Sequence, residues 1–116
     1  MNIYHIWFDL KPGTPDMPFV ERTQAYLGHL VAQEKIHSFR ITRSKLGLSP
    51  PGQGDFHIMI EVVNLTELDT AFDYVATRAG EVEGFHAGVN QYVQNIRFAL
   101  YRDFPDPVRK RGEERF

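Results

Sequence analysis

Histidines 5 and 57 are the residues of this chain best equipped for chemistry, because each is followed four positions later by a carboxylate, Asp9 and Glu61. An imidazole beside a carboxylate in a half-dry site can be tuned as a general base or acid. Two imidazoles and a carboxylate can also hold zinc, iron or manganese. No recognised metal motif has this spacing, so no metal and no cofactor is assigned. The alternative is a polar network that fixes strand register, since polar groups lining a closed barrel need partners whether or not chemistry occurs there. Other side chains supply candidate binding groups. Trp7 can wall a flat ligand or anchor an interface. Arg40 and Arg97 can clamp a carboxylate with their forked donors or simply neutralise a nearby acid. Tyr101 can donate to a developing oxyanion or only pack. His86 and Asn90, four residues apart, share one side of a helical turn and form a second constellation.

Strands must carry the first constellation. Over Ile3 to Leu10, the residues Tyr4, Ile6, Phe8 and Leu10 alternate with His5, Trp7 and Asp9. Over Phe56 to Val62, the residues Phe56, Ile58, Ile60 and Val62 alternate with His57, Met59 and Glu61. Period two predicts one face turned to a core and the other carrying the ionisable groups. That second face is too polar for a core and too apolar for open water.

Between these strands, Lys11 to Asp16 is a turn cluster, with Asp16 and Pro18 suited to a helix start. Apolar spacing of three and four predicts a helix from Phe19 to about Glu34, and Gly28 is expected to pack closely on the sheet. Ile36 to Lys45 reads as a second strand with Phe39 and Ile41 on one face, and Leu46 to Gly54, with its prolines and glycines, as a long hairpin loop. A second helix opens near Leu65, with Thr66 as cap and Asp69 reaching back, and Leu68, Ala71, Phe72, Val75 and Ala76 as its buried stripe. Gly80 ends it. Val82 to Tyr92 reads as a further short helical piece. The last strand is Gln94 to Asp103, with Ile96, Phe98 and Leu100 opposing Arg97, Ala99 and Tyr101, and Pro105 and Pro107 halting it.

Bulk properties narrow the function classes. A chain of 116 residues reads as one domain over 1–107 with a charged tail over 108–116. Zero cysteines leave no disulfide framework, thiol nucleophile or sulfur metal site. A net charge of -2 gives no broad attraction to phosphate backbones or anionic membranes, so no nucleic acid and no membrane partner is expected. No stretch approaches the roughly 20 apolar residues of a span, and the expected location is the cytoplasm.

The order strand, helix, strand, strand, helix, strand is the ferredoxin-like βαββαβ pattern of the α+β class, with both helices on one face of a four-stranded antiparallel sheet. It is expected to set the first and third strands side by side and parallel at the centre. His5 would then neighbour His57, with Asp9 neighbouring Glu61 a rung further on. Arg40 or Thr42 would lie beside Glu61, and Arg97 or Tyr101 beside Trp7. Two helices cover one side only, so Ile3, Trp7, Met59, Ala99 and Tyr101 would form an exposed patch. A second copy of the chain, pairing its sheet face to face as a dimeric α+β barrel, would cover it.

The segments Asn2 to Gly13, Ala25 to Leu30, Glu83 to Asn90 and Arg97 to Pro107 resemble an uncharacterised bacterial family of small dimeric α+β barrel proteins. More broadly, the element order is similar to the dimeric α/β-barrel superfamily, whose cofactor-free monooxygenases, haem-degrading enzymes, isomerases and stress-responsive proteins share a fold and not a reaction. The resemblance implies a homodimer with a small polar-lined cavity. It supplies no activity, and the biochemical function stays unassigned: the cavity suits small-molecule binding or cofactor-free oxygenase or isomerase chemistry, with a structural or stress-related dimer and haem or metal binding as alternatives. In haem-degrading relatives a histidine in the region comparable to His86 binds iron, which is the ground for the haem alternative.

Overall fold

A computed structural model of the chain describes residues 1–76, 91–106 and 111–112. Six elements follow in order: β1 (Asn2–Leu10), α1 (Asp16–Ala32), β2 (Ser38–Arg43), β3 (Phe56–Val62), α2 (Leu65–Ala76) and β4 (Val93–Arg102). The strands form one sheet in the order β2-β3-β1-β4, and all neighbours are antiparallel. This is the expected α+β ferredoxin-like topology, with one correction. β1 and β3 run antiparallel rather than parallel, because the α1 crossover returns β2 in the direction of β1 and the hairpin then reverses the chain into β3.

The even-numbered face is the core. Phe8, Phe56, Ile58, Ile60 and Val62 cluster with Phe19, Leu27 and Leu30 of α1, with Ile36, and with Leu68 and Ala71 of α2, so both helices lie on one side. Phe19 and Val62 are fully buried. Burial of this kind contributes roughly 25 cal/mol per Å² of apolar surface and sets which face turns inward.

Local chemistry moves several boundaries. Pro15, in extended conformation, starts α1 three residues before Phe19, and Pro18 sits in the first turn, where an amide hydrogen has no helical partner. Asp16 does not cap; its carboxylate binds Arg43 at 3.0 Å. The helix stops at Ala32, and Glu34 takes a left-handed φ of 56°. A Cβ on Gly28 would meet nothing within 4 Å among the described residues, contrary to the expected close approach to the sheet. α2 is capped by Asn64 and Glu67 rather than Thr66 and Asp69. Asn64 accepts from the Glu67 amide at 2.9 Å, and the Glu67 carboxylate accepts from the Val63 amide at 3.1 Å. The helical piece expected over 82–92 and most of the 108–116 tail lie outside the described residues.

The β2–β3 loop reaches across the end of the sheet. Gly54 is buried against the backbone of Phe8 in β1, and Gly52, at φ +80°, meets the guanidinium of Arg97 in β4. Asp9 ties this loop down. One of its carboxylate oxygens accepts from the Asp55 amide at 2.9 Å, and the other accepts from the Asn95 side chain at 3.2 Å. β4 carries a bulge between the positions facing Trp7 and Asp9, where Asn95 adopts a φ of 54°.

Candidate functional site

Register arranges the helix-free face as rows that cross the sheet. Ser38, Glu61, Ile3 and Tyr101 form one row; Arg40, Met59, His5 and Ala99 the next; Thr42, His57, Trp7 and Arg97 the third. Beyond them Asp9 and Asp55 close the end of the sheet. His5 and His57 are therefore diagonal neighbours, and Nδ1 of His5 lies 2.8 Å from Nε2 of His57.

Such a contact requires one imidazole to donate and the other to accept. If His57 donates from Nε2, its own Nδ1 is left bare and His5 carries its proton on Nε2. If His5 donates from Nδ1, its Nε2 is the bare nitrogen. Either way the neutral pair presents one outer lone pair and one outer N–H, and a proton taken up at one end can be released at the other. Desolvation lowers the pKa of both imidazoles from 6.5, and for His57 the adjoining His5 lowers it further. The pair is held in its neutral, proton-accepting form.

Aromatic rings fix the pair in place. Trp7 stacks on His57 at 4.5 Å between centroids and on His5 at 5.3 Å, with interplanar angles of 13° and 9°. Tyr101 meets His5 edge-on at 4.9 Å. Three nearly parallel flat rings thus stand at the centre of a face that neither helix covers.

The carboxylates expected to tune the histidines have other partners among the described residues. Asp9 and Glu61 are not neighbours, because antiparallel pairing sends them to opposite ends of the face. Asp9 serves the loop, and Glu61 accepts from the Ser38 hydroxyl at 2.9 Å. Ser38, and neither Arg40 nor Thr42, stands opposite Glu61; Arg40 faces Met59, and Thr42 faces His57 and donates to its carbonyl at 3.2 Å. Arg97 does stand opposite Trp7, and Tyr101 opposite Ile3. His86 and Asn90 lie outside the described residues. Among the described residues, no group of three or more His, Asp or Glu gathers closely enough to hold a metal ion.

A second feature was not foreseen. On the helix side an apolar cavity of about 260 Å³ opens among Tyr4, Ile6, Tyr26, Leu30, Phe72 and Phe98. Burial raises the phenol pKa of Tyr26 to about 12 and raises that of Tyr4 as well, so both hydroxyls stay neutral. Phe98, expected on the core side, is on that side but 59% exposed. Alternation reports which way a side chain points, and nothing in it reports whether a helix arrives above.

Comparison with known proteins agrees with the architecture. The Arabidopsis thaliana protein At3g17210 superposes with a TM-score of 0.70 at 10% identity, covering 91% of this chain and 98% of that one. A dimeric ferredoxin-like protein of unknown function from Thermobifida fusca gives 0.60 at 17% identity, covering 87% and 90%. Another from Jannaschia sp. CCS1 gives 0.63 at 12% identity, covering 89% and 100%. At such identities the likeness carries the fold alone. No protein of curated function matches the sequence. Among the described residues no helix is long and apolar enough to cross a membrane. A family model does match, over residues 1–116, and the chain therefore belongs to DUF6614, a family of unknown function.

Proposed function

We propose that this protein is a cytoplasmic homodimer whose helix-free sheet faces enclose a small polar-lined chamber. The chamber binds a small molecule from which the His5–His57 pair takes a proton, the step on which a cofactor-free isomerase or oxygenase depends. One observation carries this reading: two hydrogen-bonded imidazoles stacked on an indole, on a face that neither α1 nor α2 covers. Ile3, Trp7, Met59, Ala99 and Tyr101 share that face, and a patch of this composition is stabilised by burial against a like patch. The dimeric neighbours of T. fusca and Jannaschia support the same assembly.

Sedimentation together with an NMR titration of the histidine rings tests it. A dimer in which both imidazoles titrate below 6.5, and shift when a weak carbon or oxygen acid is added, supports the proposal. A monomer, or histidines that titrate as free imidazoles and ignore every ligand, refutes it. The helix-side cavity favours a second reading, in which an apolar small molecule sits between the helices and the sheet. Quenching of tyrosine emission by a neutral apolar probe, lost in Tyr26→Ala, would support that site; an unchanged signal would dismiss it.

A further inference from the structure

Resting on the dimeric, proton-accepting reading above, we infer that the ligand is a planar carboxylate with an acidic proton at its far end, lying along the row Thr42, His57, Trp7 and Arg97. The row is a straight line across three strand pairings, with Arg97 opposite Trp7 and Trp7 opposite His57. Adjacent strands lie about 4.8 Å apart, so the guanidinium end and the imidazole end of the row are separated by about 10 Å at the backbone. The indole stands in that gap with His57 stacked on one of its faces, so a flat ring lying across the outer edge of the indole reaches both ends with one substituent at each.

Charge decides which substituent goes where. Among the described residues, the guanidinium groups of Arg40 and Arg97 have no carboxylate within 4.0 Å, the three ion pairs present being Met1–Asp103, Arg43–Asp16 and Arg102–Asp106. The acids of the same face are already engaged, Glu61 by Ser38 and Asp9 by the loop. Two arginines per copy would thus enter an enclosed chamber unpaired, and an unpaired buried cation is strongly disfavoured. A carboxylate supplies the missing partner and suits the forked geometry of arginine. Arg97 is the better placed of the two, because its guanidinium lies 3.2 Å from where a Cβ on Gly52 would stand, and the loop limits its freedom. At the other end His57 presents Nδ1, the nitrogen not used in the bond to His5, and in the tautomer whose Nε2 donates to His5 this Nδ1 carries a free lone pair. A proton leaving the ligand's acidic O–H or C–H settles there, the ligand keeps the electron pair as its conjugate base, and no oxidant is involved.

Trp7 is the only tryptophan of the chain, so its emission reads the site directly. The probes are 4-hydroxybenzoate, benzoate and 4-hydroxybenzamide, titrated into the full chain at pH 7.5 with sedimentation on the same samples. We expect the dimer to bind 4-hydroxybenzoate saturably, with the amide and benzoate each about tenfold or more weaker. Arg97→Gln should abolish the preference for acid over amide, and His57→Gln the preference for 4-hydroxybenzoate over benzoate. A dimer that treats the three probes alike, or responds to none, overturns the carboxylate inference and leaves the assembly standing. A monomer at every concentration overturns the reading beneath it.

Discussion

Glycine to alanine at two positions should move stability in opposite directions, and the structure gives the size of each effect. At Gly54 an added Cβ would overlap the carbonyl of Phe8 and stand 2.7 Å from its Cα, against ordinary contacts of 3.4–4 Å. The obstacle is backbone of a central strand, which cannot turn aside as a side chain can. Overpacking costs typically about 1–3 kcal/mol, and a rigid neighbour puts Gly54→Ala at the upper end of that range. At Gly28, in the interior of α1, the same methyl meets nothing within 4 Å and the backbone is already helical. There alanine removes the glycine penalty and stabilises by about 0.5–1 kcal/mol. For a chain of this size 1 kcal/mol corresponds to roughly 4 °C in Tm. Gly54→Ala should therefore melt about 8–12 °C lower, and Gly28→Ala about 2–4 °C higher. Thermal unfolding followed by far-UV circular dichroism, with Trp7 emission in parallel, measures both. If Gly54→Ala melts within a degree or two of the wild type, the loop does not lie against β1 as described, and the seat of Arg97 against Gly52 loses its basis. A lower Tm for Gly28→Ala would mean that this side of α1 is occupied.

Other expectations follow from the same geometry. Both imidazoles have lowered pKa values in the folded chain, so the unfolded chain binds more protons below 6.5 and stability should fall as the pH drops through that value and level off below the folded pKa. Urea midpoints between pH 5 and 8 would show this, and His5→Gln with His57→Gln should flatten the curve; an unchanged slope refutes the assignment. Asp9→Ala should release the loop, accelerating hydrogen exchange at the Asp55 amide at a cost of about 1 kcal/mol in global stability, while exchange that stays slow would show another anchor. Asn64→Ala should cost about 1 kcal/mol through the lost cap, and Thr66→Ala close to nothing. The reverse order in urea unfolding would return the cap to Thr66.

The architecture was legible because the residue types of β1 and β3 alternate over seven or more residues; burial follows that alternation along β3, while in β1 Phe8 alone is fully buried and its neighbours on both faces are half-buried. Alternation also put His5 and His57 on one face; their contact was expected from parallel pairing and arises instead as a diagonal one between antiparallel strands. The placement of the carboxylates was not legible, since the pairing direction of β1 and β3 depends on the whole chain path, and reversing it carries Asp9 and Glu61 from one rung to opposite ends. The α2 cap was missed by local competition: Asn64 and Thr66 both offer an oxygen to an orphan amide, and where the strand Phe56–Val62 releases the chain decides between them. The Asp9 tie to Asp55 joins residues 46 positions apart and depends on a loop whose path no periodicity records.

The bulge in β4 has a genetic counterpart. Between Arg97 and Gln94 the strand uses three steps where β1 uses two from Trp7 to Asp9, so Ile96 and Val93 can both line the helix-side cavity although one number is even and the other odd. Deleting a single residue from this stretch would straighten the ladder and lose the Asn95 tie to Asp9, whereas deleting one from the regular part of β4 would turn one end of the strand inside out. Length variation among relatives is therefore expected to fall in the loop between Ser44 and Gln53 and to spare positions 93 to 97.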